Sequence, residues 1–135
     1  MSEQDNRKIV RAMFDASNAA KVEEAIQYTA PDCLLNGEPY GREGDRMRTT
    51  AMFAGFPDGK WILDDAVAEG DKVVARYTFR GTHQGELLGI PPTGKQVTMN
   101  GITIYRIANG QFAEIWESYD KFGLLQQLGV LPAAG

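Results

Sequence analysis

Two side chains in this 135-residue sequence are of a type, and in a setting, that moves protons. Asp120 closes the segment Gln111-Phe-Ala-Glu-Ile-Trp-Glu-Ser-Tyr-Asp120 and precedes an apolar tail, Phe122-Gly-Leu-Leu-Gln-Gln-Leu-Gly129. A carboxyl group held in a dry pocket at such a junction keeps its proton more tightly, because desolvation disfavours the charged form, and becomes a general acid/base. The same position equally suits the N-cap of a helix starting near Lys121. His83, the only histidine, lies in Gly81-Thr-His-Gln-Gly85. Its imidazole would shuttle protons near neutrality beside Asp120, or would tie down a glycine-rich loop by donating to a backbone carbonyl.

The residues that would surround them follow from strand alternation. With Asn109-Gly110 as a turn, Phe112, Trp116, Ser118 and Asp120 share a face with Ile107, Tyr105 and Thr103, and the opposite face shows Ile102, Ile104, Ala113 and Ile115. One bulge would invert this phase. Phe112, Trp116, Tyr105 and Met99 then wall a small-ligand cavity with Ser118 beside the acid, or each aromatic is simply core. Arg76 sits mid-strand, either outward in a salt bridge or inward against Asp120 or Glu114, since a buried guanidinium needs a partner. Asn36, with Asn100 and Tyr40, would orient a carbonyl or enolate oxygen, or satisfy nearby backbone. The substrate-binding set is therefore Trp116, Ser118, Arg76, Tyr105, Phe112, Met99 and Asn36.

Hydrophobic periodicity supplies the elements that position these groups. Ile9, Val10, Met13 and Phe14 recur at helical spacing, Ser17-Asn18 interrupts, and a shorter helix from Val22 to Tyr28 should end before Pro31. A short strand, 33–36, and a Gly/Pro-rich turn lead to a third helix, 42–54, burying Met47, Ala51 and Ala54. Strands at 61–68, 73–80, 97–107 and 112–119 follow, with Gly70-Asp71 and Asn109-Gly110 as hairpin turns. The stretch 81–94 reads as a long ordered connection. Helices first and strands afterwards predict one α+β domain over residues 1–135, its N-terminal helices packed on a curved antiparallel sheet to form a cone. Both sheet faces carry apolar residues, so a homodimer through the sheet is expected.

Composition narrows the function further. The net charge of −4 argues against a nucleic-acid partner, which needs clustered Lys and Arg. One cysteine, Cys33, excludes an internal disulfide, and with His83 alone the soft ligands for a usual zinc site are too few, so no metal is expected. No signal core or bilayer-spanning stretch is evident, which points to a cytoplasmic protein without a membrane partner. Nucleophile-elbow, phosphate-loop and dinucleotide motifs are absent, leaving acid/base chemistry without a cofactor.

Gly81-Thr-His-x-Gly-Glu86, Gly89-Ile-Pro-Pro-Thr-Gly-Lys95, Arg106-Ile-x-x-Gly110, Trp116-x3-Asp120 and Gly123-Leu-Leu-x-Gln-Leu-Gly129 together resemble the SnoaL-like polyketide cyclase and ester cyclase group of the cone-shaped, nuclear-transport-factor-like superfamily. The resemblance spans about residues 5 to 131. It implies an aspartate at the end of the last strand acting as acid/base in an intramolecular aldol condensation, and Asp120 falls on that position. Where such cyclases tend to carry a histidine two residues earlier, this chain has Ser118, which cannot titrate near neutrality. The leading expectation is a cofactor-independent cyclase- or isomerase-type enzyme acting on a small apolar carbonyl compound of polyketide or terpenoid kind. The alternative is a non-catalytic carrier of a small lipophilic ligand. An epoxide hydrolase ranks third; on this scaffold it needs an Asp-Arg-Asp set, of which Arg76 and Asp120 supply two members.

Overall fold

Residues 2–131 are described in the computed structural model. Helix α1 (Glu3–Asn18) begins at a capping box in which Ser2 Oγ accepts the Asp5 N–H and the Asp5 carboxylate accepts the Ser2 N–H. This reciprocal pair satisfies two amides that helix geometry leaves free. The short α2 (Val22–Ile26) follows a break at Ala20, whose φ is 58°. After it come β1 (Thr29–Leu35), the two-residue β2 (Glu38–Pro39) and α3 (Gly41–Gly55). Four long strands, β3 (Lys60–Glu69), β4 (Lys72–Thr82), β5 (Gln96–Ala108) and β6 (Gln111–Tyr119), precede α4 (Lys121–Gln127).

The sheet order is β2-β1-β6-β5-β4-β3. From β3 to β6 the strands form the expected antiparallel meander, with turns at Gly70-Asp71 and Asn109-Gly110; the last has positive φ at both residues. Beyond expectation, β1 adds parallel to β6, so the sheet is mixed. β1 also starts earlier than its sequence suggests and runs through Pro31. It can do so because pairing with β6 is interrupted between Thr29 and Leu34, so the missing proline N–H costs no ladder bond. Among the described residues no helix is long and apolar enough to cross a membrane.

The concave face of the sheet packs on the helices. Val73, Ala75, Tyr77 and Phe79 of β4, Val97, Met99, Tyr105 and Ile107 of β5, and Phe112 and Ile115 of β6 are buried against Val10 and Phe14 of α1 and against Phe56 beyond α3. The outer face carries a second apolar row in register across four strands, Val67, Val74, Ile104 and Trp116.

Two features overturn expected orientations. On β6 the register slips between Arg106 and Ile107: Ile107 pairs with Phe112 but Arg106 pairs with Glu114, leaving Ala113 as the extra residue of a bulge. Beyond it the phase inverts, so Ile115 and Glu117 continue the inner face of Phe112 while Trp116 and Ser118 turn outward beside Ile104 and Ile102. On α3 the apolar residues Met47, Ala51 and Ala54 are exposed, Met47 at 73%. Asp45, Arg48, Thr49 and Met52, at i, i+3, i+4 and i+7, face the sheet and line a cavity, which Ala51 also lines.

Candidate functional site

Between α3, α1 and the concave sheet lies a cavity of about 280 Å³. Met13 and Phe14 from α1, Met52 from α3, Trp61 from β3, Met99 and Tyr105 from β5, and Phe112 and Ile115 from β6 give it apolar walls. One side is polar. The Asp45 carboxylate accepts from three hydroxyls, Thr29 at 2.7 Å, Tyr40 at 3.1 Å and Thr49 at 3.2 Å. Glu117 accepts the Tyr77 hydroxyl at 2.9 Å and forms an ion pair with Arg48. Arg48 also lies close to the Tyr40 hydroxyl. The polar groups therefore run as one line, Asp45, Tyr40, Arg48, Glu117, Tyr77.

The electrostatics fit this arrangement. Burial, then the Asp45 charge, holds the Tyr40 phenol far above its usual range; burial, then Glu117, does the same for Tyr77. Both phenols remain proton donors at any physiological pH. Burial opposes the charge on Arg48, but Glu117 and Tyr40 outweigh it, and the guanidinium stays ionised. Tyr105 is pushed well up by burial.

The fold also braces Glu117 from behind. Asn36, at φ 51°, accepts the Glu117 N–H at 2.9 Å with its side-chain oxygen and donates to the Glu117 carbonyl at 3.4 Å. It is exposed and clasps β6, so the ligand-orienting place expected for it is not where it sits.

The remaining expected site residues fall into three groups. Met99, Tyr105 and Phe112 do line the cavity. Arg76, Ser118 and Asp120 meet Asn100 and Ile102 in a separate groove of about 460 Å³ on the outer face, wide open to solvent; half-buried Trp116 lies on that face too. Arg76 points outward, 3.9 Å from Asp64, and Glu114 is taken by Arg106 at 3.2 Å. Asp120 is exposed, and its Oδ1 accepts the Gly123 N–H at 2.8 Å as the N-cap of α4. The dry setting expected for its carboxyl is therefore absent, because the bulge at Ala113 turns the end of β6 by one residue.

His83 stands alone. Fully buried against Phe56, it accepts the Thr93 N–H on Nδ1 at 3.2 Å, so the ring proton rests on Nε2, which has no partner. Its backbone closes the base of the 83–95 loop through Lys95 and Gly94. It does not line the cavity, and it anchors the loop by accepting rather than by donating. Among the described residues no cluster of three or more His, Cys, Asp or Glu could hold a metal ion.

A profile of the SnoaL-like polyketide cyclases matches residues 7–128. The chain belongs to that family. It is 28% identical over 128 residues to the aklanonic acid methyl ester cyclase of Streptomyces peucetius, covering 90% of this chain and 88% of that one. The nogalonic acid methyl ester cyclase of Streptomyces nogalater is 26% identical over 123 residues, 87% of this chain and 92% of its own. The solved structure of TsrD from Streptomyces laurentii superposes with a TM-score of 0.88 at 32% identity, covering 97% of this chain and 99% of that chain. On this family scaffold the sequence reading missed Asp45, Arg48, Glu117 and Tyr77, although it had weighed Tyr40. The signal for α3 was present in the polar i, i+3, i+4 spacing of Asp45, Arg48 and Thr49; the rule that apolar residues face inward hid it, and that rule fails beside a cavity.

Proposed function

We propose that this protein is a cyclase- or isomerase-type acid/base enzyme acting on an uncharged, largely apolar carbonyl compound of polyketide kind, with Glu117 as the proton-transfer group. The observation that carries this reading is the Arg48–Glu117–Tyr77 array on the polar side of a cavity whose other walls are apolar. Glu117 takes a proton from the carbon next to the substrate carbonyl, and the C–H electron pair moves into the enolate. Arg48 steadies the developing oxyanion. The enolate carbon then attacks a second carbonyl carbon of the same molecule, closing a C–C bond, and the new alkoxide takes the proton back from Glu117. No atom is gained or lost, as an intramolecular aldol addition requires.

Charge supports the substrate class. Two carboxylates, Asp45 and Glu117, against one guanidinium, Arg48, leave the cavity wall with one net negative charge. Such a wall repels a substrate carboxylate and accepts its ester. The relatives are named as cyclases of methyl esters.

Exchange of the α-protons of α-tetralone for deuterium, followed by NMR, tests the assignment without the natural substrate. Glu117→Gln should slow exchange about 100-fold or more, the scale of general-base catalysis, while Asp120→Asn keeps the wild-type rate within about threefold. The reverse pattern would move the base to Asp120, and saturable binding without exchange would leave a lipophile carrier.

We further propose that two copies pair through the outer sheet face, where the row Val67, Val74, Ile104, Trp116 is flanked by the unlike charges of Arg76 and Asp120. Cytoplasmic residence suits the lone Cys33, held as a thiol.

A further inference from the structure

Gly101 sits on the inner face of β5, cross-strand from Tyr77 on one side and Tyr119 on the other. Its φ is not positive, so its backbone would accept any residue. The reason for glycine lies above it. A Cβ at this position would stand 2.4 Å from both Cζ and the hydroxyl oxygen of Tyr77 and 2.7 Å from Cε1. The hydroxyl end of the ring thus lies flat on the bare Cα. Phe14 meets the same ring edge to face, with centroids 6.1 Å apart, so the ring cannot simply lift away. Only in this place does the hydroxyl reach Glu117 at 2.9 Å.

We propose that Gly101 is a positioning residue. By lacking a side chain, it seats the Tyr77 hydroxyl on the Glu117 carboxylate and so fixes the direction in which that carboxylate faces the substrate. The inference rests on the assignment of proton transfer to Glu117. The Glu117 carboxylate has two supports, Arg48 and Tyr77, and without Tyr77 it is free to turn about the remaining ion pair. A proton-transfer group turned away from its carbon loses rate and not affinity.

The α-tetralone exchange assay, run on Gly101→Ala, Tyr77→Phe and the double variant, tests this. Each single variant should lower kcat about tenfold with KM within about twofold, the scale of one hydrogen bond to a charged group. The double variant should lose less than the product of the two single losses, because the proposed effect of Gly101 on Glu117 runs through the Tyr77 hydroxyl. Unchanged kcat in Gly101→Ala, a rise in KM as the main effect, or losses that multiply in the double variant would each overturn the inference while leaving Glu117 in place. If Glu117→Gln retains full exchange, the reading of the site itself falls and this inference with it. Should Gly101→Ala fail to fold, Gly101→Ala with Tyr77→Leu vacates the contact. That pair must then fold and match the kcat of Tyr77→Leu; a further loss would overturn the inference.

Discussion

At the scale of single residues, local chemistry is governed by what each group touches. Cys33 is buried, and its thiol is pushed up to about 11, first by burial and then by the carboxylates of Asp45 and Asp32. At pH 8 only about one molecule in a thousand would carry the thiolate, the form that reacts. Iodoacetamide at that pH should leave the native protein unmodified, as read by intact mass, and label it fully once unfolded. Asp120 is a cap, and replacing such a residue with alanine removes the acceptor of a helix N–H. Asp120→Ala should cost about 1 kcal/mol of stability, measured by urea melts; Asp120→Asn, which keeps an acceptor, should cost less.

At the scale of elements, β6 and α3 decide what the cavity contains. One extra residue, Ala113, rotates everything after it by half a strand period and exchanges Trp116 and Ser118 for Ile115 and Glu117 on the inner face. Deleting Ala113 should therefore give a regular strand in which Ile115 and Glu117 still face inward, so α-tetralone exchange should survive; loss of exchange in that variant would show that the bulge does more than set the phase. On α3, exposed Met47 should accept lysine within about 0.5 kcal/mol, whereas Met52→Lys, on the cavity wall, should destabilise well beyond that. The stripe facing the sheet is polar because it lines a hollow and its groups find partners there: Asp45 its three hydroxyls, and Arg48 Glu117.

For the whole molecule, pH and self-association are the levers. Tyr40, Tyr77 and Tyr105 all have proton affinities raised by burial above the unfolded value of about 10. The sign follows directly. Above about pH 10 the unfolded chain gives up these protons while the folded one keeps them, so stability is intact below that pH and falls as pH rises. Chemical melts from pH 8 to 11 should show this loss, and Tyr105→Phe should reduce it. The outer sheet face leaves Ile102 at 50% and Val67 at 58% exposure in the single chain. Val74→Lys with Ile102→Asp should convert a dimer to a monomer in light scattering while leaving the fold unchanged by circular dichroism. A wild type that already runs as a monomer would end the pairing proposal.

Helix and strand periodicity, the two hairpin turns and the family motifs were legible in the sequence, because each depends on residues close together along the chain. They were enough for the α+β cone, for its long strands and for Met99, Tyr105 and Phe112 as cavity wall. The facing of Glu117 was not legible, since it hangs on a bulge that no residue type in Gln111-Phe-Ala-Glu-Ile announces. Nor was the inward polar face of α3, because local hydrophobicity reports what a protein core prefers, and a cavity inverts that preference wherever buried partners wait. Only the tertiary structure brings Asp45 and Arg48 of one helix to Glu117 and Tyr77 of two strands, and that meeting of distant segments makes the site.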